Sequence, residues 1–214
     1  MIKIFKIIMK ILLVLILLLG CFVGYHTYVG YQDYQEVITT KSMEERVKEL
    51  QSKDTYVKLN EVNKTFTDQL VASEDKRFYH HGAFDIIGLT RAVVVNITTF
   101  SFKEGGSTIT QQLSKNLFFD YHRNLRRKFA EVFGAIDLEN HYSKDEILEM
   151  YMNKIYYGNG CYGIKEASNY YYQKEPIDLN KEEAAALVYT IKSPNNYNPK
   201  VRKTANFGFF LFFC

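Results

Sequence analysis

Gly105-Gly106-Ser107-Thr108-Ile109-Thr110-Gln111-Gln112-Leu113-Ser114-Lys115-Asn116 is the stretch on which the reading of this chain turns. Two glycines free the backbone just before a helix N-terminus, where outward N–H groups favour anions. Ser107 is placed to cap a helix carrying Thr108 to Phe119. Thr108, Gln112 and Lys115 or Asn116 recur at helical spacing, which gives one polar face suited to sugar or phosphate oxygens. A purely structural helix seldom carries so dense a run of hydroxyl and amide groups.

Outward from this stretch, further helix signals come in series. Thr65 followed by Asp68 opens a helix running towards Glu74, and Ser42 with Glu45, Ser143 with Glu146 and Asn180 with Glu183 have the spacing of capping boxes. Breaks fall at Gly82, Gly105-Gly106, Gly158-Asn159-Gly160 and Ser193-Pro194. Alternating β patterns are scarce, so the chain is expected to be mainly α, in one domain without repeats. Residues 31–64 are polar and mixed in charge and read as a stalk. Phe84 to Phe102 is unusually apolar, with Ile86, Ile87, Leu89 and Val93-Val94-Val95. It fits either a buried core helix or an apolar flap on a bilayer, and Asp85, Arg91 and Asn96 interrupt it too often for a membrane span.

The chain has 214 residues, 47% of them apolar, enough for one globular domain and an anchor. A net charge of +3 gives no support to a nucleic-acid partner. Cys21, Cys161 and Cys214 are scattered and match neither a disulfide framework nor a zinc site. Ile7 to Val29 is nearly continuous apolar sequence, spanning roughly 35 Å as a helix against a hydrocarbon core of about 30 Å. Lys3, Lys6 and Lys10 precede its densest part, so the positive-inside rule keeps residues 1–30 as cytoplasmic tip and anchor and places the rest outside. A cleaved signal peptide, or a lipoprotein signal ending at Cys21, would place the domain on the same side.

Three other strings carry chemistry. Glu74-Asp75-Lys76-Arg77-Phe78-Tyr79-His80-His81-Gly82 puts two adjacent acids at a helix end, where they can perturb each other as acid–base sites need, although such pairs are ordinarily solvated. Arg126-Arg127-Lys128-Phe129-Ala130-Glu131 sets Arg127 and Lys128 on one helix face with Glu131; alone, it would be an exposed ion-pair ladder. Lys144 to Asn153, followed by Ile155-Tyr156-Tyr157-Gly158 and Tyr162-Gly163-Ile164, reads as a packing and turn element, with Asn153 bonded to backbone.

In this order and at these spacings, the four strings resemble the motifs of the peptidoglycan glycosyltransferases of family 51, the monofunctional transglycosylases and the N-terminal halves of class A penicillin-binding proteins. Leu179 to Pro199, with Ser193-Pro194-Asn195-Asn196-Tyr197-Asn198-Pro199, resembles a fifth motif. The resemblance implies a lysozyme-like fold of two lobes around a cleft at 65–200, with the apolar segment after the first motif dipping into the membrane. It implies a bacterial cell-membrane enzyme that polymerises lipid II into β-1,4-linked glycan with inversion, releasing polyprenyl pyrophosphate. Glu74 matches the general base and Glu131 the second essential carboxylate. Asp75, Ser107, Thr108, Gln111, Gln112, Lys115, Arg123, Arg127 and Lys128 match substrate-binding positions. The implied partners are lipid II, the growing glycan, the membrane and other cell-wall synthesis proteins, and the donor site is expected to take moenomycin. A divalent cation such as Mg²⁺ assists some members, but no ligand set in this sequence establishes a metal site.

The chain departs from the family pattern in three places. Ala83 stands where a glycine is usual, Glu104 where a glutamine commonly precedes the glycines, and residues 201–214 end in an apolar tail instead of a basic amphipathic helix. Three rival readings remain. One is a truncated or inactive fragment of a bifunctional penicillin-binding protein, since no transpeptidase domain has room here. Another is a lysozyme-like glycan hydrolase, which would not need the basic cluster. The last is an inactive scaffold, which would not need both glutamates.

Overall fold

The computed structural model describes residues 2–101, 105–119 and 125–204. Among the described residues, eleven α-helices and three short 3-10 turns follow one another, and the only extended pairing is one antiparallel bridge between Tyr156 and Tyr162. The mainly helical expectation is met.

The first helix, α1 (Ile2–Thr40), is continuous over 39 residues. Its early turns expose Ile11, Leu15 and Leu19, and it is long and apolar enough to cross a membrane. Its last turns pack on α6 (Leu125–His141). There the Tyr31 ring meets Phe133 at 5.3 Å, His26 stacks on Phe129 at 5.8 Å, and Arg126 pairs with Asp33 at 2.7 Å. Tyr34 donates its hydroxyl to Asp137 and is buried.

The segment expected as a stalk contributes core side chains instead. Helix α2 (Met43–Gln51) opens on the Ser42–Glu45 capping box, and Met43, Val47 and Leu50 form a buried stripe at helical spacing. Residues 56–59 are tied to α7 (Lys144–Lys154). Tyr56 Oη and the Leu59 N–H both donate to Glu149, while the Asn153 side chain exchanges hydrogen bonds with the Val57 backbone in both directions. Asn153 therefore does bond backbone.

Helix α7 is the centre of the core. Ile147, Leu148, Met150, Tyr151 and Met152 are all buried, so beyond its exposed, charged first turn the helix is enclosed on nearly every side. Each such side chain contributes about 1.5–3 kcal/mol by leaving water. Around it lie α3 (Lys64–Glu74), α5 (Ile109–Phe118), α8 (Ile164–Tyr172) and α9 (Lys181–Lys192), with short α10 (Pro194–Tyr197) and α11 (Pro199–Thr204) closing the described chain. Capping boxes open α7 at Ser143 and α9 at Asn180, as the spacing predicts. Two starts differ by a residue or two: α3 is capped by Asn63, and α5 by Thr108 rather than Ser107. In each case the residue just outside the first turn reaches a free N–H with its side-chain oxygen, Asn63 that of Thr65 and Thr108 that of Gln111.

Helix α4 (Ile86–Thr99) does not pack as a core helix. Only Ala92 is buried, Ile86 is 76% exposed, and Phe100, which ends the helix in a left-handed conformation, is 96% exposed. The buried-core alternative for this segment is thereby excluded. Of the apolar tail, residues 205–214 lie outside the described residues, as does Glu104.

Candidate active site

The cleft forms where the C-terminus of α3 meets the N-terminus of α5. Glu74 is the last residue of α3, and its Oε2 accepts a hydrogen bond from Gln112 Nε2 at 3.1 Å. Burial pushes the Glu74 carboxyl above its ordinary value; the Gln112 amide and the Lys192 ammonium oppose that shift, and the Asp75 charge adds to it. A carboxylate so placed holds protons more tightly than one in water, which suits a base that must take a proton from a hydroxyl.

Asp75, the next residue, binds the two motifs together. Its Oδ2 accepts the Ile109 N–H at 3.0 Å, and its Oδ1 lies 2.8 Å from His81 Nε2. One carboxylate thus satisfies a free N–H in the first turn of α5, where the helix dipole favours negative charge. Asp75 lines the cavity with Glu74, Ser107 and Thr108, but both of its oxygens already have partners within the protein.

Glu131 reaches the same helix start from the other side. It is buried on α6, with Arg127 Nε donating to Oε1 at 2.9 Å and Lys128 Nζ to Oε2 at 3.1 Å. Lys128 Nζ also donates to Ser107 Oγ at 2.9 Å. One ammonium therefore links Glu131 to the rim of the cavity that Glu74 lines. The close approach of α5 and α6 depends on Gly134: a Cβ there would stand 2.4 Å from Ser114 Oγ and 2.8 Å from the Phe118 ring. Ser114 Oγ in turn donates to the Glu131 carbonyl at 2.8 Å.

The remaining expected site residues divide by burial. Thr108 is buried, accepts the Gln111 N–H at 3.1 Å and donates to the Ala83 carbonyl at 3.1 Å. Gln111 is also buried, and its Nε2 donates to the same carbonyl at 3.0 Å. Both build the loop, whereas Ser107 and Gln112 are half-buried, Ser107 beside Lys128 and Gln112 against Glu74. Lys115 lies half-buried one turn further along α5. Arg123 lies outside the described residues.

Sequence reasoning missed several neighbours. Arg77 and Arg91 line the cavity, and Lys192 on α9 faces Glu74. Tyr151 donates to Gln112 Oε1 at 2.9 Å, directly behind the Gln112–Glu74 contact. Its string reads as packing, and no local spacing reveals a partner 39 positions away.

Asp75, His81 and Asp85 offer one ligand atom each within 4.8 Å of one another. They do not fit Mg²⁺. The Arg77 guanidinium occupies Asp85, the Ile109 N–H occupies Asp75, and Mg²⁺ prefers an octahedron of oxygens with several waters.

The family described as Transglycosylase matches residues 40–207. Penicillin-binding protein 1F of Bacillus subtilis (strain 168) is 46% identical over 150 residues, covering 70% of this chain and 21% of the relative. Penicillin-binding protein 1A of Aquifex aeolicus (strain VF5) is 41% identical over 144 residues, covering 67% and 20%. Penicillin-binding protein 1A of Neisseria lactamica is 42% identical over 146 residues, covering 68% and 18%. The chain thus spans about a fifth of the length of these relatives.

Proposed function

From the premise that this chain belongs to the transglycosylase family, we propose that it polymerises lipid II at the outer face of a bacterial membrane. The observation that carries the reading is the pairing around one helix start: a raised carboxyl at Glu74 and a basic group, Arg127 and Lys128, held by Glu131.

In this mechanism Glu74 takes the proton from the 4-hydroxyl of the acceptor sugar. The oxygen attacks C1 of the donor from the face opposite the diphosphate, so the C1–O bond to the diphosphate breaks as the new glycosidic bond forms. The electron pair leaves with the diphosphate, and the configuration at C1 inverts. Lys128 and Arg127, with Lys115 and Arg123 as further cations, stabilise that anion through charge-assisted contacts. Ser107 and Gln112 position oxygens of the substrate, and no step passes through a metal ion.

The three lysines before the apolar core of α1 favour a cytoplasmic N-terminus with the catalytic domain outside. The exposed apolar face of α4 then rests on the outer leaflet beside the lipid-linked substrate. A hydrolase would not need the basic group held by Glu131, so transfer is favoured over cleavage.

Purified protein incubated with lipid II, with and without moenomycin, tests the reading. Polymer is expected in the uninhibited reaction only. Glu74→Gln is expected to lower the rate by about 10²- to 10⁴-fold. Release of fragments from finished glycan, without chains from lipid II, would replace the transferase with a hydrolase.

A further inference from the structure

We propose that Tyr151 is a positioning residue for the general base: its hydroxyl fixes the Gln112 side-chain amide so that the N–H group, and not the oxygen, faces Glu74. The inference rests on the assignment of Glu74 as the base.

An ionised carboxylate only accepts hydrogen bonds, so Glu74 needs the NH₂ end of Gln112. Gln112 Nε2 lies 3.1 Å from Glu74 Oε2, and Gln112 Oε1 receives the Tyr151 hydroxyl at 2.9 Å. The amide can turn over about its terminal torsion at little intrinsic penalty, and the turned amide would accept from a protonated Glu74 and so favour the uncharged form. What prevents this is the buried donor behind it. Tyr151 is wholly enclosed in α7, and burial, with the Glu74 charge next, pushes its phenol far above its ordinary value. It therefore remains a donor whenever Glu74 is ionised. The other groups acting on Glu74 do not define the amide's orientation. Lys192 on α9 and Asp75 act through charge alone, and Ser73, the preceding residue, adds a hydrogen bond of its own to Glu74. The buried Tyr157 hydroxyl points to the Met152 carbonyl at 3.5 Å, and Arg77, across the cavity, is held by Asp85.

Removing the Tyr151 hydroxyl frees the amide to turn when Glu74 is protonated, and the turned oxygen then accepts from the carboxyl and stabilises its neutral form. Its titration should move upward by roughly half to one pH unit. The test is a ¹³C NMR titration of the Glu74 carboxyl in the full detergent-solubilised chain, assigned with Glu74→Gln, and compared between wild type and Tyr151→Phe. The same substitution is repeated in a Gln112→Leu background. An upward shift in the wild-type background that vanishes in the Gln112→Leu background is the expected result. No shift, or an equal shift in both backgrounds, overturns the proposal.

If Tyr151→Phe does not fold, 3-fluorotyrosine at position 151 keeps the ring and hydroxyl but makes the donor more acidic. It must move the Glu74 titration downward, and an unmoved titration overturns the proposal. The acid limb of kcat/KM with lipid II should follow the carboxyl, with KM unaltered. Failure of wild type to polymerise lipid II would instead remove the proposed function and leave the titration result standing.

Discussion

At the scale of single residues, the burial of Glu74 costs stability once its carboxyl ionises. Its folded-state carboxyl sits above its ordinary value because it is buried, so the unfolded chain gives up this proton more readily. The stability Glu74 contributes is full below its unfolded value and is lost as pH rises through the folded one. Glu74→Gln should therefore unfold like wild type in acid and become the more stable of the two as pH rises. Denaturant unfolding from about pH 3 to about pH 8 measures this, and a difference that does not vary with pH would contradict it. The acids and bases of the site were legible in the sequence because adjacent or helix-spaced charges announce themselves: Glu74 beside Asp75, and Glu131 within one turn of Arg127 and Lys128. What supports them was not legible. Thr108 and Gln111 look like substrate ligands by type, yet they share the Ala83 carbonyl, and only the folded loop reveals that bond.

Among the elements, helix starts were readable to within one or two residues, since a cap is a contact between positions two or three apart, as in Asn63 with Thr65 or Ser143 with Glu146. Packing partners were not. The stripe of Met43, Val47 and Leu50 has helical spacing, but nothing local says that α7 covers it. Composition likewise cannot separate a core helix from one facing lipid, and α4 proves to be the exposed kind. Replacing Ile86 and Phe100 with serine should leave thermal stability within about 0.5 kcal/mol, because neither side chain is buried. The same change should lower polymerisation in proteoliposomes more than in detergent; equal effects in both would detach α4 from the bilayer. The α5–α6 contact is the opposite case. Gly134→Val must displace Ser114 and Phe118, and a loss of about 1–3 kcal/mol with a fall in activity is expected from thermal melts and lipid II assays. An unchanged melt would show that the two helices tolerate separation.

For the whole molecule, the long apolar helix α1 and the helical domain share an interface at α6. Gly30 on α1 lies against Phe129 and Ala130 of α6, and a Cβ there would stand 2.5 Å from Phe129 Cβ and 2.9 Å from the Ala130 nitrogen. Gly30→Leu should undock the two helices, lowering stability by about 1–3 kcal/mol while the protein still fractionates with membranes. Retained stability would mean that α1 is only a tether. Helix α6 carries Arg127, Lys128 and Glu131 within a turn or so of that contact. Because α1 runs unbroken from the apolar turns to this junction, it acts as a ruler and not a leash. One residue inserted ahead of Gly30 would move the cleft about 1.5 Å along the rod and swing it through about 100° around it; under the proposed function, the register of this helix would then set how far a lipid-held sugar reaches into the cleft.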